Sequence, residues 1–424
     1  MADMLPKWLT LDNSAKYFVP TSNKRGTKVF RLACSLYSDV DPSILQEALD
    51  ETLIEFPIYK STLKKGLFWY YLEQTQIHPV VELEVLNPCA PIFVRNKKTL
   101  LFRVSYYKKR INLEVFHALS DGGGAIEFLK YMIERYLKLK YPKVFKKEKY
   151  DLGYNASLEE KNSDDFNKYY DNRGNRKRGK IKSAYKIKGK KLSESRNQVI
   201  EGLVDASKLL ELAHKYNTTV TVLISALFYQ AIEKEMKQIE KNKSVVMTIP
   251  INFRQFYESK SARNFFGVFT IDYNFKKQSN NLEDIVDYIG KSFKDRLNKE
   301  SVSGMINSFA SLERNWFIKP IPLFLKNLGL KLAAWFLDSK NSVIVSNIGK
   351  LEFPEVFLKY IDYFDVFIST NKLQICLCSF NDKMMLTFTS PHVNSSIQRN
   401  FFRALSEAGI ESSVNSNITY KGEV

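Results

Sequence analysis

The sequence predicts an α/β fold with mixed sheets, laid out as two similar halves. Three features carry that expectation. Helical stripes and short β-type runs alternate on both sides of the chain's midpoint. A polar stretch from about 141 to 197 separates the two sets. At 424 residues the chain is long enough to bury two cores. No sequence repeat is detectable, so the pairing of the halves rests on element order alone.

In the first half, Asp41-Pro42-Ser43 opens a helix whose apolar stripe is Ile44, Leu45, Ala48, Leu49 and Leu53. Runs 100–106 and 111–116 flank Lys108-Lys109-Arg110 as a hairpin, and the second run leads straight into His117. After Gly122-Gly123-Gly124, the spacing of Ile126, Leu129, Met132, Ile133 and Tyr136 predicts a helix to about Lys138. Beyond 141 the pattern dissolves into Lys, Asn, Asp, Ser and Gly, with an ordered hairpin expected near Tyr185 to Ile187. A second cycle follows. Asp205 caps a helix to Lys215, and 219–235 is another. Strands are expected at 245–251, 268–273, 342–345, 364–369, 373–379 and 384–389, with helices at 282–297 and 396–408. The division expected is 1–172, a basic linker or hairpin over 173–197, and 198–424.

Composition narrows the class. A hydrophobic fraction of 44% with 26% charged residues is that of a globular protein, and 30 Phe with 23 Tyr suit β-rich cores and apolar clefts. The formal charge is +18, and ten Lys or Arg with no acidic residue lie between Arg173 and Lys191. Such a run reads as a solvated linker or exposed hairpin, with attraction of a polyphosphate or an anionic surface as the alternative. Nucleic acid is not expected as a partner, because no recognition motif accompanies the charge. Cys34, Cys89, Cys376 and Cys378 do not make a disulfide framework, and no His-Cys cluster has zinc spacing, so no metal site is expected. The first ten residues have no continuous apolar core, which disfavours a signal peptide. The most apolar stretch, 316–337, is broken by Lys319, Pro320, Pro322, Lys326 and Lys331, so no transmembrane segment is expected. A reduced, cytoplasmic protein is the expectation.

The candidate chemistry sits in His117-Ala118-Leu119-Ser120-Asp121-Gly122. A His in a tight turn between a strand and a helix is presented to a cleft rather than packed in a core. A neutral imidazole there takes a proton from a hydroxyl or amine as that group attacks a carbonyl. Asp121 lies on the same turn, placed to bond back to the backbone, and the three glycines allow close approach of backbone or ligand. His78 and His214 have no supporting partners, His392 after Pro391 reads as a surface or core His, and Cys378 has no His partner.

The pattern H-x-x-x-D-G between a strand and a helix resembles the chloramphenicol acetyltransferase-like superfamily. That superfamily includes wax ester synthases, peptide-synthetase condensation domains and microbial alcohol acetyltransferases. The resemblance implies two similar α/β domains with a tunnel between them, in which an acyl thioester and an acceptor meet at the His. It implies that Asp121 is structural and pairs with Arg254, since Pro250-Ile251-Asn252-Phe253-Arg254 resembles the superfamily's P-x-x-x-R. Arg263-Asn264-Phe265-Phe266-Gly267 resembles its G-N-x-x segment, with Arg263 in place of Gly, and Ser346-Asn347-Ile348-Gly349 resembles its S-N-x-x-G-P segment. The helix from Thr219 matches the T-x-N-D helix start only in its Thr.

Departures sharpen the reading. Phe116 replaces the first His of the H-H-x-x-x-D-G found in most condensation domains and wax ester synthases, which disfavours peptide condensation, and the D-F-G-W-G loop of the superfamily's plant-type alcohol acyltransferases is absent. The function implied is an O-acyltransferase of the alcohol acetyltransferase kind, with His117 as general base and direct attack on the thioester. Acetyl-CoA or a longer acyl-CoA would be co-substrate, with no permanently bound cofactor, and the acceptor would be a small alcohol or a lipid or glycosylated hydroxyl. Gly122 supports the turn, and Ser346, Asn347 and Asn252 are candidates for the oxyanion or for positioning substrate. An N-acyltransferase or an enzyme fed by an acyl carrier protein is the alternative within enzymes. A non-catalytic ligand- or partner-binding relative is the alternative outside them.

Overall fold

The computed structural model describes residues 7–146, 152, 154–171, 184–194 and 196–418. Residues 173–183 of the basic run lie outside them. Two large mixed sheets organise the chain. The first has five strands in the order Ile361–Ile368, Val29–Leu36, Arg110–Phe116, Phe102–Tyr107, Glu82–Leu83. All its neighbours are antiparallel except the last pair. The second has seven, in the order Phe266–Tyr273, Val245–Asn252, Val343–Leu351, Leu373–Phe380, Lys383–Ser390, Gln198–Asp205, Ser412–Ser416. Val343–Leu351 runs parallel to both of its neighbours and the other pairs are antiparallel. A small antiparallel sheet of Trp8–Thr10, Tyr70–Gln74 and Ser61–Lys65 stands apart.

Helices cover these sheets for the reasons their sequences give. Asp41 caps Pro42–Glu55, its Oδ1 accepting from the Ser43 N–H at 2.9 Å, and Pro42 begins the helix where no N–H is needed. That helix packs against Gly122–Lys140, whose buried Phe128, Leu129, Met132 and Ile133 face the first core. In the second half, Asp205 caps Ala206–Lys215 and Thr219 caps Val220–Glu233. The latter is apolar on nearly every side because Leu282–Arg296 and Ser396–Glu407 enclose it.

Several elements differ from expectation. Val29–Leu36 is buried at all eight positions, so it lacks the in–out alternation that announces a strand. Gln198–Asp205 hides at the end of the polar stretch. The stretch 184–191 is not a hairpin: Ala184 bridges to Ser244 and Lys191 to His392, so it runs as a strap between two other segments. Among the helices not anticipated are Asn13–Thr21, Lys299–Arg314 and Leu323–Ser339. Pro320 and Pro322 fall before the last of these rather than inside it, so they end the preceding turn and leave the helix whole. Ile361–Ile368, from the C-terminal half, completes the first sheet at the edge of Val29–Leu36. Arg110 ties the sheets together, donating to Asp365 on that strand and to Glu201 on the second sheet, each at 2.7 Å.

Candidate active site

His117 follows its strand directly, and its backbone N–H donates to the Lys28 carbonyl at 2.9 Å. The imidazole stacks on Phe18, with centroids 4.3 Å apart and planes 20° apart. Phe30 and Phe266 stand 4.9 and 5.5 Å away. Burial among these rings pushes the His117 pKa down to about 4, against the opposing pull of Asp121 and Asn264 and with the help of Lys28. The ring is neutral throughout the physiological range.

The tautomer follows from a relay. His117 Nδ1 lies 3.2 Å from Asn264 Oδ1. The amide of Asn264 is held from its far side, where Nδ2 donates to Asp12 Oδ2 at 3.0 Å. Asp12 in turn caps the helix Asn13–Thr21, its Oδ1 accepting from the Ala15 N–H at 2.7 Å. An amide oriented this way presents oxygen to the imidazole, so Nδ1 carries the proton and Nε2 keeps its lone pair. Burial raises the Asp12 carboxyl to about 6, with Arg263 pulling the other way.

Asp121 faces away from this chemistry. Its Oδ1 caps the following helix at the Gly124 N–H (2.9 Å), and its Oδ2 accepts from Arg254 Nη1 (2.8 Å) and the Phe265 N–H (2.7 Å). Arg254 completes its own set on the carbonyls of Ser261 (2.9 Å) and Arg263 (2.6 Å). The pair is nearly buried and fully hydrogen-bonded, which is the condition under which a buried ion pair holds a loop. It pins the turn of the first sheet to segment 252–265 of the second. Two glycines make the approach possible. A Cβ on Gly124 would stand 2.2 Å from the Ala262 carbonyl oxygen, and one on Gly122 would stand 2.9 Å from Ile348 Cδ1. The second contact brings the strand bearing Ser346 and Asn347 against the motif turn.

A cavity of about 3080 Å³ opens here, lined by His117, Asp121 and Gly122 on one side and by Pro250, Phe266 and Ser346 on the other. Its volume is several times that of a site for one small ligand, so it has room for two reactants.

Comparison by sequence matches no family model and no curated protein. Solved structures do match over nearly the whole chain. TRI101 of F. sporotrichioides, in complex with coenzyme A and T-2, has a TM-score of 0.65 at 10% identity, covering 96% of this chain and 99% of that one. Polyketide synthase associated protein 5 from Mycobacterium tuberculosis gives 0.59 at 12%, covering 95% and 98%. The first condensation domain of the CDA synthetase gives 0.56 at 12%, covering 94% and 95%. The fold is that shared by these solved acetyltransferase and condensation-domain structures.

Within this fold the remaining sequence candidates separate. Ser346 lines the cavity, and its hydroxyl makes no hydrogen bond among the described residues. Asn347 is engaged otherwise, donating from Nδ2 to Thr221 Oγ1 at 2.8 Å and accepting from the Gly349 N–H at 2.8 Å. Asn252 Oδ1 accepts from the Arg254 N–H at 3.1 Å, so it braces the arginine. Thr221, a departure from the superfamily's helix start, thus meets Asn347. Two residues of the site escaped sequence reasoning. Asn264 stands in a segment already matched to the superfamily, beside Arg263, but nothing local ties it to His117. Asp12 carries a visible helix-cap signal, while its partner lies 252 positions away. Lys28 also lines the cavity, and burial holds its ammonium below the ordinary lysine range.

Proposed function

We propose that the chain is an acyltransferase that moves an acyl group from an acyl-CoA thioester to an alcohol hydroxyl, with His117 as the general base. One observation carries the reading: the Asp12–Asn264 relay leaves a neutral His117 with its Nε2 lone pair unpartnered among the described residues, in a large two-sided cavity. In the proposed reaction, Nε2 takes the acceptor's hydroxyl proton as the oxygen attacks the thioester carbonyl carbon. The tetrahedral oxyanion collapses, the C–S bond breaks, and the departing thiolate takes the proton back from Nε2. No acyl-enzyme forms.

Ser346 is the proposed oxyanion donor, because Asn347 and Asn252 are bonded elsewhere. Asp121 and Arg254 are assigned to holding the turn. Lys340 and Lys372, on the cavity lining, are the proposed contacts for the phosphates of the donor. The stacked Phe18 keeps water from the imidazole face. The test is thiol release from a series of acyl-CoAs against a panel of alcohols and amines. Wild type should release thiol with at least one alcohol, and His117→Ala should lower the rate by about 10²- to 10⁴-fold with its fold intact. Unchanged turnover in His117→Ala removes the proposal.

A further inference from the structure

The helix Leu323–Ser339 buries Leu323, Lys326 and Ala334 and turns another face to solvent. On that face Phe324, Leu328, Leu332 and Trp335 are 64, 56, 60 and 73% exposed. Their spacing is one helical stripe, about 17 Å long at 1.5 Å per residue. Just before the helix, Trp316 and Phe317 are 70 and 81% exposed. Beside its start is the turn between strands Ser61–Lys65 and Tyr70–Gln74, where Leu67 and Phe68 also face outward. The turn is fastened there: the Leu323 N–H donates to the Leu67 carbonyl at 3.0 Å and Lys326 Nζ to the Phe68 carbonyl at 3.3 Å. Helix, preceding turn and hairpin tip therefore form one apolar surface, of a kind that soluble proteins keep for contact with something apolar.

Charge identifies what covers it. Of the lysines in segment 316–340, Lys319 and Lys331 are exposed, Lys326 is buried and Lys340 lines the cavity; the segment's single acid is Asp338, in a chain of net charge +18. A second copy laid on this face would set lysine against lysine. Anionic headgroups would neutralise them, and tryptophan and phenylalanine at the rim suit the boundary between headgroups and acyl chains. No described helix is long and apolar enough to cross a membrane, so contact would be from one side. Other positions of the same segment line the cavity: Ile321, Leu325, Leu330, Ala333 and Phe336. One helix thus separates the apolar surface from the chamber that holds His117.

We propose that this surface seats the protein on an anionic lipid bilayer. Where acyl transfer holds as proposed above, the acceptor hydroxyl belongs to an amphipathic lipid that reaches the cavity past this helix. The test is flotation of the full chain with vesicles, in the absence of substrate. With equal parts phosphatidylcholine and phosphatidylglycerol, wild type should float at least about tenfold more than with phosphatidylcholine alone. The triple variant Phe324→Gln/Leu328→Gln/Trp335→Gln, whose three side chains point to solvent, should keep its circular dichroism and thermal transition while flotation drops about tenfold. Wild type that stays unbound, or a variant that floats equally, overturns the proposal. So does a wild-type dimer that the variant converts to monomers, since the surface would then join two copies. Flotation needs no turnover, so loss of either proposal leaves the other standing.

Discussion

The acid limb of activity is the sharpest consequence of how His117 is housed. Its pKa lies near 4 instead of 6.5, chiefly because Phe18, Phe30 and Phe266 exclude water from the ring. In the proposed reaction the active form is the neutral base. At pH 5.5 a group with pKa 4 is about 97% neutral, whereas one at 6.5 is about 9% neutral, a tenfold difference in rate. The assay is kcat/KM for thioester consumption from pH 4 to 8 on the wild-type enzyme, which reports the free enzyme's base. The profile should stay on its plateau at pH 5.5 and fall by half near 4. Asp12→Asn should leave that midpoint in place, separating it from the Asp12 carboxyl, which titrates near 6. Lys28→Met should move the midpoint upward, because Lys28 opposes protonation of the ring. A wild-type midpoint near 6.5 refutes the reasoning. Stability carries the same signature. The unfolded His binds its proton below 6.5 and the folded one only near 4, so relative to His117→Phe the wild type should lose about 3 kcal/mol as pH falls through that window.

Other expectations follow from the geometry. Arg254→Met leaves the Asp121 carboxylate buried without its partner and should cost about 3–5 kcal/mol in denaturant unfolding; Asp121→Asn in the same chain should restore part of it. Gly124→Ala forces a methyl against the Ala262 carbonyl oxygen and should destabilise by about 2 kcal/mol or more, read from the same transition. Asn264→Leu removes the acceptor that fixes the tautomer, so kcat should fall by about 10²-fold with KM little changed, as steady-state kinetics would show.

What could be read from sequence was what lies close in the chain or repeats a local pattern. The His117 turn was legible because a β-run, a glycine cluster and a helical stripe succeed one another within forty residues. Asp121 with Arg254 was legible only through resemblance, and the structure places the two at 2.8 Å. The relay behind His117 was not, because Asp12 and Asn264 each look like ordinary local residues and their meeting depends on how the two sheets face. Val29–Leu36 escaped because a strand buried on both faces has no period of two to detect. Leu323–Ser339 escaped for the opposite reason: its lysines and the prolines ahead of it mask a helix whose apolar residues lie outside rather than inside.

The insertion of Ile361–Ile368 into the first sheet also governs how the chain is made. The first sheet cannot be completed until residue 368 has been synthesised, long after its other four strands are available. At a synthesis rate of about 5–20 residues per second, the interval from residue 172 to residue 368 lasts roughly 10–40 s. Throughout it, Val29–Leu36 presents an apolar edge with unpaired backbone groups, the type of edge that recruits foreign strands. A nascent chain stalled in that interval is expected to expose this edge to other chains. A fragment ending at the polar junction would be held there permanently.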